Sequence, residues 1–283
     1  MKSKLSYDET VVKVFNNNIV LVDSFGKEKI LFAKGIGFAK KPGAIIPKDT
    51  VIEKVFTIEN EDNISNFKDI IKKIDDGFFA ACEEAIYEIS KELDTELNER
   101  IHIGLIDHLF IAVERLKKGD EIENPFLIET KTLYPKEFQL AELVCRMIEI
   151  HSDVEIPTGE VGFVALHIHS AMNDGKISNT IKNTYLSSEI VEHVEEKLGI
   201  KIDKNSLDYA RFCTHIKFAI QRIMEDRPES KELIDMVKLT YEKSYEIASE
   251  VAVIIEKELK KKVTKEEIAF LTIHIERFRI SAK

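Results

Sequence analysis

No apolar run in this sequence approaches the roughly 20 residues that a helix needs to cross a bilayer. The first residues also lack the apolar core of a signal peptide, so neither membrane insertion nor export is expected. Cysteine is scarce: Cys82, Cys145 and Cys213 are odd in number and not closely spaced. That excludes a disulfide framework and suits a reducing cytoplasm. None of the three has metal-ligand spacing, and all read as small core residues. Residues 1–58 contain no helix-turn-helix pattern, which argues against duplex DNA as a target. What remains is a chain of 283 residues, 44% hydrophobic and 33% charged, the profile of a soluble protein with two or three real cores.

The formal net charge of −10 conceals an asymmetry. Residues 1–56 carry ten lysines against six acids, a net of +4, whereas the remainder has 31 basic and 45 acidic residues. A small basic module on an acidic body points to nucleic acid at the N-terminus only. That module reads as β: Thr10–Phe15 and Ile19–Ser24 flank the turn-prone Asn16-Asn17-Asn18, Glu28–Phe32 follows, and Val51–Ile58 closes the set. Gly35, Gly37 and Pro42-Gly43 break the run between them. Four short strands give a meander with one apolar face to spare, so self-association is expected. Residues 59–65 read as an acidic linker.

The rest of the chain contains one stretch twice. His108 and His167 recur 107 positions on as His215 and His274, and the separation within each pair is 59 residues in both copies. Ala112, Arg115, Lys131, Tyr134, Ala141, Glu149, Glu160 and Phe163 repeat at the same offset as Ala219, Arg222, Lys238, Tyr241, Ala248, Glu256, Glu267 and Phe270. A register kept over that length marks a duplicated domain, longer than any solenoid repeat. Three- and four-residue apolar steps from Asn66 to Leu93 and along Leu105–Leu116 predict helices. Further helices are expected at Asn124-Pro125-Phe126, over 135–151 and from Thr158, then over 180–198, 206–224, 230–259 and 264–279. Thr264 and Glu267 have the spacing of a capping box. The fold class is thus a small antiparallel β domain followed by two duplicated all-α bundles, with domains at 1–58, 66–173 and 178–283.

A lone histidine beside a buried stripe is ordinarily a hydrogen-bonded semi-core residue. Four of them, conserved between copies whose neighbours change, suggest chemistry. One candidate is metal ligation, which needs further ligands. Asp107 could serve in the first copy, but Thr214 stands at its place in the second. The other is acceptance of a phosphoryl group at an imidazole nitrogen, which needs an orienting partner and a nearby cation. Arg115 and Arg222, two helical turns beyond each first histidine, are the candidate cations.

Lys13-Val-Phe-Asn-Asn-Asn-Ile-Val, Lys34-Gly-Ile-Gly-Phe-Ala-Lys-Lys and Ile52-Glu-Lys-Val-Phe resemble the co-antiterminator RNA-binding domain. Asp107-His108, Ala165-Leu166-His167-Ile168, Arg211-Phe-Cys-Thr-His215 and Leu271-Thr-Ile-His274-Ile resemble the histidine contexts of paired PTS regulation domains. The whole chain is similar to bacterial transcriptional antiterminators of the BglG/LicT/SacY kind, and its Asn124-Pro125-Phe126 and His167–Ala171 stretches to the subgroup controlling glucose-transporter genes. The resemblance implies a non-enzymatic, cofactor-free, cytoplasmic homodimer that stabilises a leader-mRNA hairpin and so prevents termination of a sugar PTS operon. It implies RNA contacts at Lys13, Asn18, Lys34, Gly35 and Phe38. It further implies phosphorylation of His108 and His167 by PTS proteins, including a sugar-specific EII component, and of His215 and His274 by the phosphocarrier HPr. Ala33 and Lys34 stand where many members have Gly and Arg, and lysine lacks the bidentate fork of arginine. The rival reading from another class is a metal-dependent hydrolase with duplicated helical histidine sites.

Overall fold

The structure is a computed structural model and describes residues 3–173, 175–225 and 234–281. Among the described residues its β module has seven strands, not four: β1 (Ser3–Lys4), β2 (Glu9–Val14), β3 (Ile19–Ser24), β4 (Lys27–Phe32), β5 (Ile45–Ile46), β6 (Val51–Ile52) and β7 (Lys54–Thr57). Five form an antiparallel sheet in the order β5-β2-β3-β4-β7, and β1 pairs with β6 alone. The two-residue strands escape a periodicity reading because they are too short to show alternation.

One face of the sheet builds its own core from Val11, Val20, Val22, Leu31, Ile46 and Ile52. The opposite face is covered by helices of the same chain. These begin with α1 (Glu61–Lys73), α2 (Asp76–Leu93) and α3 (Ile101–Leu116). Phe15 stacks on Phe79 with ring centres 4.1 Å apart, Phe32 on Tyr87 at 4.1 Å, and Phe56 lies 4.5 Å from the His102 ring. This removes the uncovered apolar face from which self-association was expected. The segment read as a linker is also structured. Asn60 caps α1 by accepting from the amides of Asp62 and Asn63, and Glu99 accepts from the amides of Glu59 and Asn60 and from Asn63 Nδ2.

The remaining helices are α4 (Leu127–Leu133), α5 (Pro135–Ser152), α6 (Thr158–Ala171), α7 (Ile177–Leu198), α8 (Leu207–Met224), α9 (Ile234–Thr240), α10 (Glu242–Leu259) and α11 (Lys265–Ser281). The single helix expected over 230–259 is broken at Tyr241, and its expected start at Ser230 lies outside the described residues. Tyr134 and Tyr241 share one non-helical backbone conformation (φ −134°, ψ 53° and φ −125°, ψ 49°), so the break recurs without the proline that follows Tyr134.

Two devices repeat between the copies. Glu149 and Glu256 each accept the amide seven residues on, from Ile156 at 2.7 Å and Val263 at 2.9 Å, and so close the turn after their helix. The second device exchanges its partners. His169 Nδ1 meets Glu137 at 2.7 Å in the first copy; at the matching places Ser244 donates to Glu276 at 2.7 Å. Thr264 and Glu267 form only half of the expected capping box. The Glu267 amide lies 3.4 Å from Thr264 Oγ1, while its carboxylate is committed to Arg222.

The chain divides into two compact units. The first comprises residues 1–124 and 136–177; the second comprises 125–135 and 178–283. Within the second unit α4 packs on α8, where buried Glu129 accepts from Tyr209 Oη at 2.7 Å and pairs with Lys204 at 3.0 Å.

Phe15 and Phe79 are both buried, so Phe15→Ala and Phe79→Ala should each cost about 3–5 kcal/mol in urea unfolding. Because the rings stack, the double variant should lose less than the sum, by about 0.5–1.5 kcal/mol. Strict additivity would contradict the docking described.

Candidate functional site

The Asn16–Asn18 turn and the 33–38 loop are laced together at one end of the β module. Asn16 Oδ1 accepts the amides of Asn18 (2.8 Å) and Ile19 (2.9 Å), which fixes the hairpin turn. Asn18 Oδ1 then accepts the Gly35 amide at 3.0 Å, its carbonyl accepts the Ala33 amide at 3.0 Å, and the Asn17 carbonyl accepts from Gly37 at 2.9 Å. Gly35 adopts φ +74°, and a Cβ at Gly37 would fall 2.2 Å from the Asn16 carbonyl oxygen. Both glycines are therefore needed for this loop. Lys34 and Gly35 are exposed, and Phe38 is 70% exposed, which is not the place of a core residue.

The structure thus brings Asn18, Lys34, Gly35 and Phe38 together and places Lys13 elsewhere. A β-bulge at Val12 puts Val11 and Val14 on the core face and Lys13 on the helix-covered face. Its ammonium pairs with Asp76 at 2.6 Å and donates to the Ile71 carbonyl at 3.2 Å. Asn16 Nδ2 reaches Glu84 at 2.9 Å, so α2 holds the module by polar contacts as well as aromatic ones.

In the first helical copy α3 carries His108 and Arg115, and α6 carries Glu160 and His167. The imidazole centres are 5.0 Å apart, with Phe163 closing one side at 5.9 Å from His108. In the second copy α8 and α11 bring His215 and His274 to 4.7 Å, with Phe270 at 5.5 Å from His215. The tilt between the rings is 36° and 35°. Residues 59 apart in sequence meet with the same geometry twice.

A buried carboxylate organises each pair. Glu160 is 1% exposed; it binds Arg115, and its Oε2 lies 3.2 Å from His108 Nε2. The contact is one of proximity: neither of those two buried atoms makes a hydrogen bond, to the other or to any further group. Glu267, also 1% exposed, takes a two-pronged contact from Arg222 at 2.5 and 2.7 Å. Arg115 and Arg222 are therefore bound by carboxylates within their own copy. Glu160 and Glu267 repeat at the fixed offset, and that repetition was the signal in the sequence for their role.

The second histidine of each pair is held neutral. Burial, and then the neighbouring His108, push His167 down to about 3 from an ordinary 6.5. Burial lowers His274 to about 4, helped by His215, Arg277 and Arg211 and opposed by Asp208. A neutral imidazole is the nucleophilic form. Asp107 turns away to Lys73 at 3.3 Å, and among the described residues no three metal-ligating side chains gather. Cys82, Cys145 and Cys213 are buried and unpaired, and burial pushes the thiols of Cys145 and Cys213 up to about 12. No helix among the described residues is long and apolar enough to cross a membrane.

Comparison with known proteins matches both kinds of domain. Residues 10–65 match the CAT RNA binding domain, and residues 83–171 and 188–278 each match the PRD domain. The chain is 37% identical over 271 residues to the transcription antiterminator LicT of Bacillus subtilis, covering 94% of this chain and 98% of that protein. It is 38% identical to the PtsGHI operon antiterminator of the same organism (95% and 96%) and 33% identical to protein GlcT of Staphylococcus saprophyticus (96% and 97%). A solved structure titled as GlcT CAT-PRDI matches at TM-score 0.50 and 38% identity, covering 59% of this chain and 99% of that one.

Unfolding returns both depressed imidazoles to an ordinary value near 6.5, so below that pH the unfolded chain binds more protons than the native one. Stability is undiminished above about pH 6.5 and falls as pH drops toward the folded values. His167→Gln and His274→Gln should each flatten that fall between pH 7 and 5 in urea melts. An unchanged pH slope would contradict the buried neutral imidazoles.

Proposed function

The chain belongs to the family of transcription antiterminators built from a CAT RNA-binding domain followed by two PRD domains, and from that premise we propose how its sites divide the work. Residues 1–58 bind a hairpin in the leader mRNA of a sugar PTS operon and prevent a competing terminator from forming. Asn18, Lys34, Gly35 and Phe38 make the contact. Backbone and small polar groups of the loop approach unpaired bases, and the exposed Phe38 ring stacks on one. Lys13 reaches an RNA phosphate once its ion pair with Asp76 exchanges.

The modules at 66–173 and 178–283 are the sensors. An imidazole nitrogen of His108, His167, His215 or His274 attacks the phosphorus of a phosphohistidine donor. The new N–P bond forms as the donor's breaks, and the donor imidazole leaves with the electron pair and takes up a proton. The donors are HPr and a sugar-specific EII component, and the chain catalyses no reaction on a substrate of its own. The phosphate brings negative charge to a junction already holding a buried carboxylate, Glu160 or Glu267, and the altered charge balance shifts a homodimer equilibrium in the cytoplasm. Two imidazole pairs of one geometry, in a chain that also displays the Asn18–Phe38 loop, carry this reading. A metal-dependent hydrolase finds no counterpart in the relatives.

Two measurements test it. Asn18→Ala, Phe38→Ala and Gly37→Ala should each weaken leader-RNA binding at least about tenfold in gel shifts, the last by disrupting the loop. Label passed from phosphoenolpyruvate through the general PTS proteins should disappear when all four histidines are replaced by Ala. Undiminished RNA binding in all three variants, or label surviving the fourfold replacement, would sink the respective assignment.

A further inference from the structure

The two copies differ at one place beside the second imidazole. In the first, Ile101, Gly104 and Ser170 line a cavity of about 210 Å³ that reaches His167. Ser170 is 3% exposed, and its hydroxyl has no hydrogen-bond partner. The cation on the cavity wall is Arg100, whose side chain is exposed. Moved by the repeat offset, Ile101, Gly104 and Ser170 become Asp208, Arg211 and Arg277. The second copy therefore carries two guanidinium groups and a carboxylate where the first carries a mostly apolar hollow.

The second-copy cluster is held in place by its own charges. Asp208 pairs with Arg211 at 3.6 Å along α8 and with Arg277 of α11 at 3.5 Å, so one acid ties together the two helices that carry the histidines. Arg211 lies four residues before His215, and Arg277 three after His274, so each arginine shares a helix face with its histidine. About half of each arginine side chain is exposed. One carboxylate between two arginines leaves a positive charge uncompensated at the edge of the imidazole pair. Both arginines act electrostatically on His274. Arg222, by contrast, is spent on Glu267.

We infer that Arg211 and Arg277, aligned by Asp208, form an anion site that receives the phosphoryl group of the second copy, and that the first copy lacks this pair. The inference rests on the phosphoryl-acceptor reading above and names the cations for it. A guanidinium fork matches phosphate oxygens, and charge-assisted hydrogen bonds of this kind are stronger than neutral ones. A phosphate on His215 or His274 is neutralised where it forms and strengthens the α8–α11 junction. A phosphate on His167 meets an apolar hollow with one arginine in its wall and loosens the α3–α6 junction.

The test uses the full-length chain and separates the two layers of the argument. Inorganic phosphate is titrated at constant ionic strength while the histidine Cε1–H NMR signals are followed. Phosphate should perturb His215 and His274 in the wild type, about tenfold more weakly in Arg211→Gln/Arg277→Gln, with partial rescue by Arg211→Lys/Arg277→Lys. The absence of a wild-type response, or an equal response in the Gln variant, overturns the anion site. In the phosphotransfer assay the same Gln variant should carry about tenfold less phosphate on His215 and His274 at equilibrium, with His108 and His167 unchanged. Equal occupancy overturns the assignment of Arg211 and Arg277 to the phosphoryl group. If the titration succeeds and no wild-type histidine accepts label, the anion site stands and the phosphoryl-acceptor reading falls.

Discussion

A carboxylate almost without access to water lies at the centre of each helical copy, and the geometry of the imidazoles depends on it. An ionised Glu160 or Glu267 in such a place is tolerable only if it is paired and hydrogen-bonded. Arg115 and Arg222 supply that pairing, and in the first copy His108 Nε2 lies 3.2 Å from the carboxylate oxygen left over. The arrangement fixes which helix faces meet, because the arginine and first histidine ride on one helix and the glutamate and second histidine on the other. The ring centres carried by those helices lie 5.0 and 4.7 Å apart. On the proposed reading a phosphate in either copy adds negative charge beside this carboxylate, and its effect depends on the cations around it.

The second constraint is the aromatic contact between the β module and the first helical copy. A sheet this small has one self-sufficient face, and the other is covered by Phe79, Tyr87 and the buried His102–Glu83 pair. Lys13 and Asn16 are drawn into the same contact through Asp76 and Glu84. The Asn16–Asn18 turn and the imidazole pair of the first helical copy are thus joined by α2 and α3 within one compact unit. Covering that face within the chain also means that self-association has to be argued from something other than exposed apolar surface.

Much of this was legible in the sequence. The duplication, the four histidines, the long strands and most helix starts follow from offsets and periodicities that local physics imposes. The clustering of Asn18, Lys34, Gly35 and Phe38 followed from motif resemblance and is now explained by the hydrogen bonds lacing turn to loop. What local pattern does not show has physical causes. Alternation places Lys13 on the same face as Val11, but the bulge at Val12 reverses it, and no residue type announces a bulge. Residues 59–65 read as a linker because their helix is secured by Glu99, some forty positions away. Glu267 looked like a capping residue because its spacing from Thr264 is right, whereas the demand of Arg222 is stronger. Arg115 and Arg222 are legible as helix-mates of the first histidines, but their bond to a glutamate is a tertiary fact.

The account's central claim is that phosphate on the first imidazole pair governs RNA binding at the other end of the same compact unit. The direct measurement is the dissociation constant for leader RNA of the full chain, phosphorylated on His108 and His167 or left unmodified, in wild type and in His108→Ala/His167→Ala. The account predicts at least about tenfold weaker binding on phosphorylation of the wild type, a coupling within the usual allosteric range, and no change in the variant. Equal RNA affinity of the phosphorylated and unmodified wild-type chain would contradict it.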